Sequence, residues 1–164
     1  MRTEYLADVL ASFRQYQDLA EKAMAQVDDR AFFAAGDPEA NSIAILVKHV
    51  AGNQRSRWTD FLTTDGEKPD RNRDDEFLLG PATRRDEVMG WWRDGWALLY
   101  RTIESLAPGD LERTVLIRGK PQTVMQAIQR QLAHYAYHVG QIVLLARDAV
   151  GPAAWQSLSI PKKK

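Results

Sequence analysis

The chain has 164 residues, the length of one domain, and its 22 basic side chains balance 22 acidic ones. A net charge of zero excludes the broad basic surface that nucleic acids and anionic membranes require. The absence of cysteine excludes disulfides and thiolate ligands, so any metal must bind to nitrogen or oxygen. The sequence shows no apolar segment of the signal-peptide or membrane-spanning type. We therefore expect a single cytoplasmic domain over residues 1–164 that binds neither nucleic acid nor membrane.

Four segments carry apolar residues at the three- and four-residue steps of an amphipathic helix. The second segment opens at Asn41 and Ser42, both good N-cap residues. The fourth opens with Thr123 and Gln126 in the spacing of a capping box, and Gly151 marks its end. Helices are therefore predicted over residues 3–27, 41–62, 83–106 and 123–150.

The predicted fold is all-α, a four-helix bundle, because four amphipathic helices in succession bury their apolar faces against one another. Residues 64–82 are predicted to form a long polar loop, and loops of that length often carry function. Residues 111–118 are predicted as a short strand or an extended link. Residues 119–121 are then predicted to turn the chain into the last helix.

All three histidines of the sequence lie on predicted helices. His134 and His138 are four residues apart, a spacing that separates them by ~40° and ~6 Å and points both imidazoles to one side. Such a pair suits two ligands of one metal ion. His49 lies in an apolar run of the second helix, and spacing alone does not show that it meets the other two. A buried histidine bonded to a carbonyl is the alternative interpretation of each.

Polar residues near the histidines offer candidates for a supporting role. Three amides on neighbouring helical turns are candidates to orient a ligand or a substrate, or are ordinary amides: Asn53, Gln131 and Gln141. Four charged loop residues either fold over the site or pair with helix residues, or remain solvated, and none is predicted to be catalytic: Arg71, Arg73, Asp75 and Glu76. Residues 135–137 are Tyr-Ala-Tyr, which excludes the His-Glu-x-x-His motif of zinc proteases.

The order of motifs along nearly the whole chain resembles the DinB-like bundles, and within them a subfamily of unassigned function. The resemblance is most specific around the two histidines of the last helix. It departs at residues 162–164, where three lysines follow the proline. The matching stretches include Asn41-Ser42-Ile43-Ala44, Lys48-His49-Val50-Ala51-Gly52-Asn53, Asp65-Gly66-Glu67-Lys68-Pro69 and His134-Tyr135 with Tyr137-His138-Val139-Gly140-Gln141-Ile142.

This resemblance implies a four-helix bundle of the up-down-down-up type that holds one divalent metal ion, commonly zinc or nickel, on His49, His134 and His138. It also implies a homodimer. Characterised relatives include metal-dependent transferases that use low-molecular-weight thiols, and a maleylpyruvate isomerase. A three-histidine site leaves a coordination position open for water or substrate, which is the pattern of catalytic rather than structural zinc.

The sequence therefore favours a metal-dependent enzyme of the thiol-transferase or hydrolase type that acts on a small molecule. A low-molecular-weight thiol is the expected co-substrate. One alternative is a non-catalytic metal-binding or stress-response bundle. Another is an interaction module in which the histidines are ordinary core residues.

Overall fold

The computed structural model describes residues 2–37 and 39–158 and is mostly helical. The lysines at 162–164 lie outside the described residues. Among the described helices, none combines the length and the apolar character needed to cross a bilayer. The elements are α1 (Arg2–Met24), α2 (Asp29–Phe33), α3 (Ile43–Trp58), α4 (Arg85–Glu104), β1 (Thr114–Ile117), β2 (Lys120–Thr123) and α5 (Val124–Val150), with 3-10 turns at Asp74–Phe77 and Pro108–Glu112.

The four long helices pack around one core. α3 packs against α4 and α1 against α5, and contacts between α3 and α5 join the two pairs. Each long helix contributes one buried aromatic ring to a cluster of Phe13, Trp58, Trp96 and Tyr135. The ring of Phe13 lies 5.9 Å from that of Tyr135 and 6.4 Å from that of Trp58. Tyr135 therefore anchors the turn of α5 that carries the neighbouring histidine.

The starts of α3 and α5 follow the predicted caps, whereas the ends of the first two long helices do not. The first helix, predicted to residue 27, ends at Met24. The hydroxyl of Ser42 accepts a hydrogen bond from the amide of Ile45, and Thr123 and Gln126 form the capping box. The prediction that the second helix continues to residue 62 is wrong. α3 ends at Trp58, because Asp60 adopts a positive φ of 47° and starts a turn. The short helix α2 was not predicted.

The extended segment before α5 is a two-stranded antiparallel hairpin. Arg118 and Gly119 both have positive φ, 56° and 71°, as a two-residue type I′ turn requires. The turn predicted at residues 119–121 is therefore shifted by one residue, and Lys120 and Pro121 lie in β2. The carboxylate of Asp65 accepts hydrogen bonds from the amides of Arg118 and Gly119, at 2.8 Å and 2.7 Å. This contact ties the hairpin to the loop that follows α3.

Candidate metal centre

Two helices bring the three histidines together. His49 lies on α3, and His134 and His138 lie one turn apart on α5. Nε2 of His134 lies 3.4 Å from Nε2 of His49 and 3.0 Å from Nε2 of His138. One nitrogen from each ring lies within 4.8 Å of the others, so the three residues form a group that could hold a metal ion.

The spacing of these nitrogens is close to that of a tetrahedral ion. Zinc–nitrogen bonds of about 2.0–2.1 Å at tetrahedral angles place the ligand nitrogens about 3.3 Å apart. The distance between His49 and His134 is 3.4 Å, and that between His134 and His138 is 3.0 Å. Shifts of a few tenths of an ångström in side-chain position would accommodate an ion.

Glu76 and Gln141 hold the outer ring nitrogens of two histidines. Nδ1 of His49 lies 2.8 Å from Oε2 of Glu76, and Nδ1 of His138 lies 2.8 Å from Oε1 of Gln141. Because both oxygens accept, each Nδ1 carries a proton, and in the neutral form of each ring Nε2 keeps a lone pair. Nε2 of His134 can donate a proton to only one of them. The Nε2 lone pair of either His49 or His138 is therefore left without a donor. A cation would instead bind the lone pairs of all three Nε2 atoms.

Burial keeps two of the rings neutral. It lowers the pKa of His134 to about 3, and the neighbouring His138 and His49 add to this effect. Burial also lowers the pKa of His138 to about 4, although the hydrogen bond to Gln141 acts in the opposite direction. Metal ions bind the neutral imidazole, so both rings are in the ligating form at neutral pH.

Glu76 connects His49 to the loop after α3. Its carboxylate accepts two hydrogen bonds from Arg71, at 2.7 Å and 2.8 Å, and Arg71 also donates to Glu67 at 2.9 Å. Burial opposes ionisation of Glu76, but the hydrogen bonds from His49 and Arg71 outweigh it and hold the pKa of Glu76 below its ordinary value. An ionised carboxylate on the outer nitrogen of a histidine orients the ring and strengthens it as a metal ligand.

The role of Glu76 was missed by the sequence analysis. Of the interpretations of the charged loop, pairing with a helix residue holds for Glu76, which bonds His49, whereas Arg71 pairs with Glu67 and Glu76 after α3, and Arg73 and Asp75 are exposed. One available signal was Gly52, because a glycine inside a helix often permits another group to approach the helix backbone closely. A Cβ at Gly52 would lie 2.5 Å from Oε1 of Glu76. The glycine indicates that something approaches α3 without indicating which residue does so.

The amides proposed to support the histidines have different partners. Gln141 contacts His138, as described above. Asn53 contacts none of the three rings by a hydrogen bond, and its Oδ1 accepts from the hydroxyl of Tyr135 at 3.1 Å. Asn53 thus joins the aromatic core to the wall of the site.

Two buried polar atoms on α5 lack partners. Within the described residues, Oε1 of Gln131 and Nδ1 of His134 have no hydrogen-bond partner. The two residues are three positions apart and therefore lie on adjacent turns of one helix face. Gln131 is the nearest amide in sequence that could accept a proton from Nδ1 of His134.

The histidines line a cleft of about 510 Å³ between α3, the loop after it, the hairpin turn and α5. This volume suits a small molecule. Its other walls are amides, two aromatic rings and arginines. A larger cleft of about 630 Å³ lies against α2 and the end of α5, and its lining contains no histidine.

Fold and site together define a mostly helical protein with a three-histidine group able to hold a metal ion. The chain belongs to the family described as "Protein of unknown function (DUF1572)", whose profile matches residues 1–164. No curated protein matches the sequence.

Proposed function

We propose that this protein binds one divalent metal ion, zinc or nickel, on His49, His134 and His138 and acts as a metal-dependent enzyme on a small molecule. The observation that carries the proposal is the convergence of three Nε2 atoms, two of which keep lone pairs because their Nδ1 protons are held by Glu76 and Gln141. Three imidazole nitrogens that lie this close together suit a divalent cation.

The proposed reaction centre opens onto the cleft. When bound there, a divalent ion with an open coordination position supplies Lewis acidity and lowers the pKa of a water or thiol that reaches it. Glu76 and Gln141 fix the tautomers and orientations of His49 and His138. Arg71 keeps Glu76 ionised and in place. Phe77 stacks on the ring of His49 at 4.8 Å and shields one of its faces from water.

The finer features of the proposal are supported by the resemblance to DinB-like proteins. They are the up-down-down-up order of the four helices, a homodimer, a cytoplasmic location, and a chemistry of the thiol-transferase or hydrolase type with a low-molecular-weight thiol as co-substrate. The shared aromatic cluster of the four long helices is consistent with a bundle. The cleft of about 510 Å³ has the volume of a small-molecule site.

Elemental analysis of the purified protein tests metal binding. We expect about one ion per chain in the unmodified protein and less than about a tenth of that in His49→Ala and His138→Ala, because two imidazoles hold a divalent ion far less tightly than three. Gln129→Ala is the matched control, since Gln129 is an exposed residue of α5 that does not line the cleft. Unchanged metal content in both histidine variants would refute the site.

Activity screens with metal-loaded protein test the catalytic part. Candidate thiols and electrophiles are offered to protein loaded with zinc, nickel or cobalt. We expect turnover that disappears in His49→Ala and remains in Gln129→Ala. In the cobalt-loaded form, a thiol that enters the open position should change the visible spectrum. Neither turnover nor a spectral change with any thiol would contradict the proposed chemistry.

A further inference from the structure

Arginine side chains dominate the charge of the cleft beside the histidines. No aspartate or glutamate is among the residues that line the cleft in the described part of the chain. The protein as a whole has a net charge of zero, so this local excess is a property of the cleft. The arginines come from α3, the loop after α3, the hairpin turn and α5: Arg57, Arg71, Arg73, Arg118 and Arg130.

Three of these arginines have acidic partners outside the lining. Arg71 is paired with Glu76 and Glu67. Arg118 lies 3.4 Å from Glu67, and Arg73 lies 3.8 Å from Asp74. Both of these last two pairs involve exposed arginines, and such pairs contribute little to stability. Their guanidinium groups can therefore be shared with a ligand at small cost.

Arg57 and Arg130 differ from the other three. In the described part of the chain, no ion pair joins either of them to an acidic residue. Arg130 is exposed, so water satisfies it. Arg57 is 3% exposed, and its Nε and Nη1 have no hydrogen-bond acceptor among the described residues.

The burial of Arg57 is built into the local fold. Nη1 lies against the backbone of Gly66, where a Cβ would collide with it. Burial lowers the pKa of Arg57. Tyr135 and Glu67 act in the opposite direction without forming an ion pair with it, and the charges of Arg130 and Arg71 act in the same direction as burial. A buried cation without an ion-pair partner carries a large desolvation cost. An anion that enters the cleft would remove most of that cost.

We propose that the cleft binds a small molecule through an oxyanion, a carboxylate or a phosphate, held between Arg57 and Arg130 next to the three histidines. Guanidinium groups match the geometry of both oxyanions and bind them with two hydrogen bonds each. Arg57 and Arg130 line the same cleft as the three histidines, which places the anion beside the proposed metal. That the anion belongs to a substrate rests on the proposed function, whereas its binding does not.

Titration calorimetry with three probes tests the inference. Inorganic phosphate and succinate are added to metal-free and zinc-loaded protein, and uncharged succinamide serves as the control ligand. We expect phosphate or succinate to bind to both forms and succinamide to bind to neither. The anion that binds with the higher affinity shows whether the site is suited to a phosphate or a carboxylate. No binding of either anion to either form would overturn the inference.

Two variants locate the anion. Arg130→Gln should weaken anion binding about tenfold or more, because one charge-assisted contact is worth about 1.5–3 kcal/mol. Arg57→Met should abolish the anion-induced rise in melting temperature while leaving the melting temperature without anion nearly unchanged, since it removes a buried unpaired charge. Arg147→Gln is the matched control, because Arg147 is an exposed arginine on the same helix outside the cleft.

The outcomes separate this inference from the proposed metal function. If the protein binds an anion but no metal, the metal site is refuted and the anion site stands. Stoichiometric metal without anion binding would refute the anion site alone. Equal anion affinity in Arg130→Gln and Arg147→Gln would contradict the placement even if Arg57→Met fails to fold.

Discussion

Nδ1 of His49 lies 2.8 Å from a carboxylate oxygen of Glu76, although 27 residues separate the two in the sequence. This hydrogen bond joins a helix in the core to a loop at the surface. It orients the ring so that Nε2 faces His134. The loop thereby becomes part of the histidine site.

Replacing Glu76 by glutamine tests this relationship. Glu76→Gln removes the negative charge that polarises His49, while a carbonyl oxygen remains available to accept its proton. We expect zinc affinity to fall about 10- to 100-fold, the usual effect of losing such a partner. Competition with a chromophoric chelator measures the change. Asp75→Asn, at an exposed neighbouring carboxylate, is the control, and an equal affinity in both variants would contradict the role of Glu76.

Gly52→Ala should weaken the metal site without unfolding the protein. The added Cβ would lie 2.5 Å from Oε1 of Glu76 and would push the carboxylate away from His49. Alanine favours a helix over glycine by about 0.5–1 kcal/mol, which offsets part of the strain. Gly140→Ala is the matched control on α5, where a Cβ meets nothing within 4 Å. Zinc affinity that falls equally in both variants would argue against a specific contact at Gly52.

The stability of the metal-free protein should fall in mild acid. The folded-state pKa values of His134 and His138, about 3 and about 4, lie below their ordinary value of 6.5. Between pH 6.5 and about 3, the unfolded chain therefore binds more protons at these rings than the folded one, and stability decreases as the pH falls. Urea denaturation at several pH values measures this loss. In the double variant His134→Gln/His138→Gln, the free energy of unfolding should depend less steeply on pH. An unchanged slope would contradict the role of these two histidines.

Chelation should remove the metal and leave the helices in place. The aromatic cluster of Phe13, Trp58, Trp96 and Tyr135 is built from ring contacts that do not involve the histidine nitrogens. We expect an unchanged far-ultraviolet circular dichroism spectrum at 25 °C and a lower melting temperature, because an ion that binds the folded state stabilises it. Loss of helical signal on chelation would instead favour a structural ion, the non-catalytic alternative.

Much of the fold could be predicted from local patterns. Apolar periodicity located the four long helices, and the caps Ser42 and Thr123 marked two of their starts because capping chemistry is confined to a few adjacent residues. The end of α3 could not be predicted in this way. The left-handed conformation of Asp60 depends on the turn that follows, and no local signal separates it from a helical aspartate.

The candidate site was predictable only in part, for the same physical reason. His134 and His138 share a helix, so their spacing alone places them together. The approach of His49 depends on how α3 packs against α5, and in the sequence it was indicated only by family resemblance. The burial of Glu76 and Arg57 depends on loop contacts with Gly52 and Gly66, which hydrophobic patterning does not encode.

The contact between Asp65 and the hairpin turn has a consequence for how ligands reach the histidines. Asp65 fastens the loop after α3 to the backbone of Arg118 and Gly119, and both segments border the cleft. These two hydrogen bonds fix the rim of the cleft at the point where the loop meets the hairpin turn. We expect entry to be governed by the size and charge of the incoming molecule and to proceed without any rearrangement of the main chain.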